Sequence, residues 1–258
     1  MDYVDVETAK RLPGLRLVLT RGVPGPWSEA AKAIFHVKGL AYVAVAQEGG
    51  GENAELKAWT GQTSAPVAAW NDEPPQCTSL GILHLAERLA PRPALLPSDP
   101  AERAGVLAVC EDLVGEGGLG WSRRLVMLDG VHRMMPEGTP PPPPLALMSE
   151  KYGYARDAAA AARGRVVEIL GALSDRLGRQ RDAGRRFLFG DEICAADLYW
   201  ATFAALFEPL PHELCPMPKS IRAMYTDVDP LFREALHPRL LEHRDEIYRR
   251  FLRLPVEF

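Results

Sequence analysis

The sequence predicts a small mixed α/β domain, in the order βαβαββα, followed by an all-α domain built as a helical bundle. Three observations carry this. Apolar runs of strand length alternate with helical patterns up to Leu89. A proline-rich stretch, APRPALLPSDP (Ala90 to Pro100), then breaks every regular pattern. Beyond it only helical periodicity recurs, and no internal repeat is present. The chain is accordingly divided into residues 1–90, a linker at 91–100 and a helical domain at 101–258.

The first strand is LRLVLT (Leu15 to Thr20), with Leu15, Leu17 and Leu19 on one face and Val18 on the other. A helix follows from Pro26 to Gly39, with proline at its first position, an alanine-rich interior and glycine at its end. AYVAVA (Ala41 to Ala46) is the second strand, ENAELKAW a short helix and APVAAW (Ala65 to Trp70) the third strand. NDEPP is a turn, and Gln76–Cys77 the remnant of a fourth strand. SLGILHLAERL (Ser79 to Leu89) is the third helix.

After the linker, AERAGVLAVCEDLVGEG places Val106, Val109, Cys110 and Leu113 on one helical stripe. RGRVVEILGALSDRLGR does the same with Val166, Ile169, Leu170, Leu173 and Leu177. PEGTPPPPPLA (Pro136 to Ala146) reads as an extended loop, because proline removes N–H donors and fixes φ. Further helices are expected at Ala195–Phe207, Lys219–Tyr225 and Pro238–Leu252. In the last of these, His243 beside Arg244 and Asp245 reads as a solvated face.

Bulk properties narrow the function. With 258 residues, 47% of them apolar and 25% charged, the chain has an ordinary globular composition. Its net charge is −4, and its densest basic cluster, RQRDAGRR, is short and carries an aspartate, which argues against nucleic acid as a partner. The acidic, polar start MDYVDVETAK is not a signal peptide. LYWATFAALF, the longest nearly apolar run, is too short to span a bilayer and reads as a buried helix. Cys77, Cys110, Cys194 and Cys215 are far apart, with no zinc-ligand spacing and no dithiol motif. Four lone thiols fit a reducing cytoplasm, and no metal site is expected.

Two stretches carry candidate chemistry. In SAPVAAW the Ala65–Pro66 bond can be cis, which turns the main chain of Ala65 toward a ligand. An ordinary trans proline at a strand start is the commoner outcome. In TSLGILHLAERL, Thr78 and Ser79 stand where strand becomes helix, so their hydroxyls and the first free N–H groups could cap the helix or hold a carboxylate. In this order the two stretches resemble the glutathione transferase superfamily, whose fold is a thioredoxin-like domain, a linker and an all-α domain. FLFGDEICAADLYWA (Phe187 to Ala201) independently resembles that family's helix-capping signature, with Asp197 at the third helical position, Ile193 as staple and Cys194 where Ser or Thr is usual.

The resemblance implies that Ala65 and Pro66 meet the cysteinyl part of glutathione and that Ser79 holds the γ-glutamyl carboxylate. Thr78 departs from the family's acidic residue and cannot form its ion pair. The loop RGVPGPWSEAAKAIFHVKGL (Arg21 to Leu40) would activate the thiol, yet Gly25 stands where some members carry Cys or Ser, and no Tyr stands near Arg21. Without that cysteine, glutathione-dependent reduction through a mixed disulfide is disfavoured. Cys77 is a remote candidate for that task. Ser28 is the only hydroxyl between Arg21 and Leu40, so the implied thiolate donor is Ser28 or a backbone N–H of Trp27 or Ser28, with Arg21 a further source of positive charge. Trp27 is a wall of the site or a packing residue. Arg21, Trp121 and Met127 are candidates for the electrophile pocket. The implied activity is conjugation of glutathione, as co-substrate, to a small hydrophobic electrophile by a homodimer. The alternatives are a non-catalytic binding or scaffold protein on the same fold and a glutathione-dependent isomerase or lyase.

Overall fold

The computed structural model describes all 258 residues. Four strands form one sheet in the order β1-β3-β2-β4. Strand β2 (Leu15–Thr20) runs parallel to β3 (Val43–Gln47) and antiparallel to β4 (Val67–Trp70). Gln76 bridges Ala68, a one-residue remnant of the fourth strand read from the sequence. The helices between these strands are α2 (Pro26–Val37) and α3 (Ala54–Thr60), and α4 (Ser79–Leu89) closes the unit. Helix α2 starts at Gly25 with Pro26 in its first turn, and Gly39, at φ +67°, turns the chain out of it in the left-handed region that glycine tolerates.

The N-terminus adds two elements that the sequence reading did not include. Strand β1 (Tyr3–Val4) pairs parallel with β3, and α1 (Val6–Arg11) is capped by Asp5, whose carboxylate accepts the Thr8 N–H at 2.6 Å. Two and six residues are too few to show a period. These additions complete a sandwich. Leu15, Leu17 and Leu19 join the large core, while Val18, Val45 and Val67 on the opposite face pack with Val6 and Ala9 of α1 and Leu56 of α3.

Beyond residue 99 the chain is helical throughout: α5 (Pro100–Val114), α6 (Leu119–Met134), α7 (Pro143–Tyr152), α8 (Arg156–Asp182), α9 (Ala195–Phe203), α10 (Lys219–Thr226), α11 (Pro230–Ala235) and α12 (Pro238–Phe251). A single 3-10 turn, Ala204–Leu206, continues α9. The extended loop expected over Pro136–Ala146 ends earlier, because Pro143 and Pro144 occupy the first turn of α7, where a missing N–H costs nothing. Residues 91–99 are irregular but anchored: Leu95 donates its N–H to Glu87 and accepts from Ala195 at 2.9 Å in each case.

Every residue of α9 is buried, and its start is organised by Asp197, which has 0% exposure. Asp197 Oδ2 accepts from the Cys194 N–H at 2.9 Å and from the Cys194 thiol at 3.0 Å. Oδ1 accepts from the Leu188 N–H at 2.9 Å and lies 2.7 Å from His243 Nε2 on α12. This corrects the solvated face expected for His243 and Arg244: both are buried, and the partner that explains His243 lies 46 positions away. A charged neighbourhood in the sequence does not reveal such a partner.

Removing the carboxylate strands several buried donors at once. Asp197→Ala is expected to lower stability by about 3–5 kcal/mol in urea unfolding. Cys194→Ala, which loses only a weak thiol donor, is expected to cost about 1 kcal/mol or less. Equal losses in the two variants would overturn this division of labour.

Candidate functional site

The sheet register gathers the candidate residues at one edge. Val18 is opposite Val67, so continuing the antiparallel pairing brings Thr20 level with Ala65. The Ala68–Gln76 bridge likewise brings Thr78 level with Pro66. The end of β2, the approach to β4 and the start of α4 therefore adjoin. From Thr20 the chain turns through Gly22, at φ +71°, into α2.

Ala65–Pro66 is cis, and the N–H and C=O of Ala65 make no hydrogen bond within the chain. The N–H groups of Trp27 and Ser28, in the first turn of α2, are also unpaired, since Gly25 offers no capping side chain. At α4, Thr78 Oγ1 caps the Gly81 N–H at 3.0 Å and leaves those of Ser79 and Leu80 free. The edge thus presents an unpaired peptide group between two helix starts, each favouring negative charge.

Ser28 is only 4% exposed, so it is not a solvent-facing first-turn serine. Trp27 is half-buried. Its Nε1–H donates to the Val114 carbonyl at 2.9 Å, and its ring meets Phe203 edge-on at 4.9 Å. It is thus a packing residue that joins α2 to the ends of α5 and α9. Tyr152 lies 6.5 Å from Trp27 and 4.6 Å from Trp121, so Trp121 joins the same aromatic group. Met127 is buried in the core. Thr78 is exposed, and the Ser79 carbonyl accepts from Tyr199 Oη at 2.9 Å. Arg21 is exposed, 5.7 Å from the Tyr3 ring and 3.9 Å from Glu48, and shares no partner with the aromatic group. Cys77 donates to the Thr60 carbonyl at 3.4 Å, and burial pushes its thiol pKa up, opposite to what a reactive thiolate needs.

Gly120, Tyr152 and Phe203 were not singled out from the sequence. A Cβ on Gly120 would come within 2.3 Å of Phe203 Cε1 and 2.8 Å of Trp27 Cζ2. Only glycine lets the two rings close over this turn of α6. The glycine is visible in the sequence, but the rings that require it come from α2 and α9.

A separate cavity lies elsewhere. It is an open cleft of about 740 Å³ among α2, the start of β3 and the C-terminal tail, lined by Glu29, Lys32, His36, Tyr42 and Arg253 among others. Burial raises the Glu29 pKa although Lys32 sits 2.8 Å away, and it pushes Tyr42 up to about 12. None of the candidate residues lines this cavity. The tail, residues 252–257, forms one of its walls, and Val256 is held by the Leu214 carbonyl at 2.7 Å.

Comparison with known proteins agrees with this architecture. Residues 156–246 match the family model "Glutathione S-transferase, C-terminal domain". A search of curated proteins gives no match. Among solved structures, a glutathione S-transferase from Methylobacterium radiotolerans in complex with glutathione sulfonate is 19% identical, with a TM-score of 0.60 over 92% of this chain and 91% of that one. One from Methylobacillus flagellatus with glutathione bound is 14% identical, with a TM-score of 0.64 over 92% and 96%. A glutathione S-transferase domain-containing protein from Marinobacter aquaeolei is 18% identical, with a TM-score of 0.61 over 91% and 98%. The chain thus shares the two-part fold of these structures, and its residues 156–246 match the C-terminal domain model of the glutathione S-transferases.

The aromatic closure at Gly120 can be tested directly. Gly120→Ala is expected to cost about 1–3 kcal/mol and to shift tryptophan emission to the red, as Trp27 is pushed from its place. Unchanged stability and emission would mean that the rings do not close over Gly120.

Proposed function

We propose that the chain binds glutathione at the sheet edge and transfers its thiolate to an electrophile. The observation that carries this reading is the unpaired main chain of Ala65 between the uncapped start of α2 and the free N–H groups of Ser79 and Leu80 at the start of α4. Support comes from structures of the same fold with glutathione or glutathione sulfonate bound. In this reading the cysteinyl main chain pairs with Ala65, and the γ-glutamyl carboxylate lies on the free N–H groups and hydroxyl of Ser79. Thr78, fully used as a cap, supplies no ion pair to the γ-glutamyl ammonium.

A glutathione thiol with a pKa of about 8.5 is only a few per cent thiolate at pH 7. Lowering it by one unit takes about 1.4 kcal/mol of preferential stabilisation of the anion. The Ser28 hydroxyl and the N–H groups of Trp27 and Ser28 supply it, sheltered from water by the burial of Ser28. The thiolate sulfur then forms a bond to the electrophilic carbon, and the leaving group departs with its bonding pair. Residues 1–90 form the glutathione-binding part and residues 101–258 the electrophile-binding part, joined at 91–100, and the working form is a cytoplasmic homodimer.

The second reading, a binding protein without catalysis, draws on Gly25 standing in place of a nucleophile or hydroxyl and on the aromatic side chains packed beside it. One experiment separates the two. Retention on immobilised glutathione together with thiolate absorbance persisting below pH 8 is the expected result. Ser28→Ala is expected to raise the bound thiol pKa by about one unit. An unchanged value assigns activation to the backbone N–H groups, and absence of both retention and thiolate refutes the transfer reading in favour of the non-catalytic binding or scaffold protein.

A further inference from the structure

Several arginines of this chain donate to main-chain carbonyls or carboxylates. Arg16 donates to the Gly14 and Asn71 carbonyls, Arg123 to those of Leu206 and Asp227, and Arg244 to Asp245 and the Glu208 carbonyl. Arg124, on α6 one turn beyond Trp121, is different. Its Nε is buried without a partner, and the groups around it are the phenols of Tyr152 and Tyr225 and the ammonium of Lys151. Its guanidinium carbon lies 6.0 Å from the Tyr152 ring centroid, and Lys151 Nζ lies 5.5 Å from the same centroid. Neither cation has a carboxylate partner. Burial and the adjacent Arg124 hold the Lys151 pKa below its ordinary value.

Two cations sharing one tyrosine, with no carboxylate paired to either, concentrate positive charge at that ring. Their location is informative. Tyr152 also contacts Trp121 and lies beside Trp27, the second residue of α2. Helix α7, which carries Tyr152 and Lys151, reaches at its other end to the loop after β3, where a Cβ on Gly50 would meet Pro144 at 3.5 Å. Lys151, at the C-terminal end of α7, and Arg124, on α6, therefore stand beside Tyr152, next to the start of α2, while the other end of α7 reaches the N-terminal half.

We propose that Arg124 and Lys151 hold an anionic group of the electrophile, so that the second substrate is an aromatic or otherwise apolar molecule bearing a carboxylate or a comparable anion. This rests on the transfer reading above for the word electrophile, but not for the anion site itself. The planar guanidinium suits a carboxylate bidentately, and Lys151 adds a second charge. The rings of Trp121 and Tyr152 would cover the apolar body of the ligand.

The test uses 3-nitrobenzoate and its neutral isostere 3-nitrobenzamide, titrated against the full chain by tryptophan quenching. The benzoate is expected to bind at least tenfold more tightly than the amide, with a preference that fades as sodium chloride is raised. Arg124→Gln is expected to abolish the preference, and Arg124→Lys to retain part of it. Lys151→Met, at an exposed position that leaves the fold intact, is expected to reduce it severalfold. Equal affinity for the two probes in the unmodified chain overturns the proposal, as does a parallel loss for both probes in Lys151→Met. A glutathione titration of the same variants forms the second arm. Weakened glutathione binding with the benzoate preference unchanged would assign the cations to the tripeptide and overturn the electrophile assignment. No glutathione binding in the unmodified chain, with the benzoate preference present, would refute the transfer reading and leave the anion site standing.

Discussion

One carboxylate without access to water, that of Asp197, supports most of what the N-terminal half presents. It fixes the start of α9, ties the chain at Leu188 to that start and receives His243 from α12. Helix α9 in turn lies against α2 and α5. Through Phe203 it backs the Trp27 ring, and through the Tyr199 hydroxyl it holds the Ser79 carbonyl at the start of α4. A capping interaction far from the sheet edge therefore sets the position of both helix starts there. Buried acceptors of this kind are costly unless fully used, and here both oxygens are used twice.

The two halves consequently do not behave as separate layers joined by a strap. Leu17 and Leu19 of the sheet, Ala31 and Phe35 of α2, and Leu198 and Phe203 of α9 belong to one continuous core. Lys38 adds a polar tie at the other end of α2, pairing with Glu87 and donating to the Ala90 carbonyl at 2.8 Å. With α2 held at both ends, its first turn is a rigid presenter of N–H groups. Rigidity matters because a preorganised dipole stabilises an anion without reorienting when the charge appears.

Strong periodicity made much of this fold legible. Strand β2, helix α4 and the stripe of α8 follow from the spacing of leucine, isoleucine and valine alone. The capping signature at Cys194–Asp197 was legible because its partners lie three residues apart. What stayed hidden shares a physical cause: the information is non-local or the element is too short. Strand β1 is two residues long and exists only because β3 has a free edge. Helix α7 hides behind prolines that serve in its first turn as well as in the loop before it. His243 reads as surface because its partner is remote, and Arg124 was not singled out because a sequence does not show that a charge lacks a counter-charge. At the sheet edge, Ala65, Thr78 and Ser79 were legible as positions, whereas the free or occupied state of their hydrogen-bonding groups was not.

Glycine at position 25 then takes on a specific physical meaning. A cysteine or serine there would put one strong group at the mouth of α2 and could also cap its first turn. Gly25 does neither, so the N–H groups of Trp27 and Ser28 remain unsatisfied within the chain. Glycine in place of a capping side chain gives up only a few tenths of a kcal/mol, and a bound anion is a partner for the N–H groups it leaves free. The same logic applies at Arg124, a cation left without a carboxylate partner within reach of the same aromatic group. Two deficits of negative charge, one made of backbone dipoles and one of a guanidinium, thus flank Trp27 and Tyr152. A thiolate at the first and a carboxylate at the second would set the two ends of a reaction whose apolar middle lies against the rings.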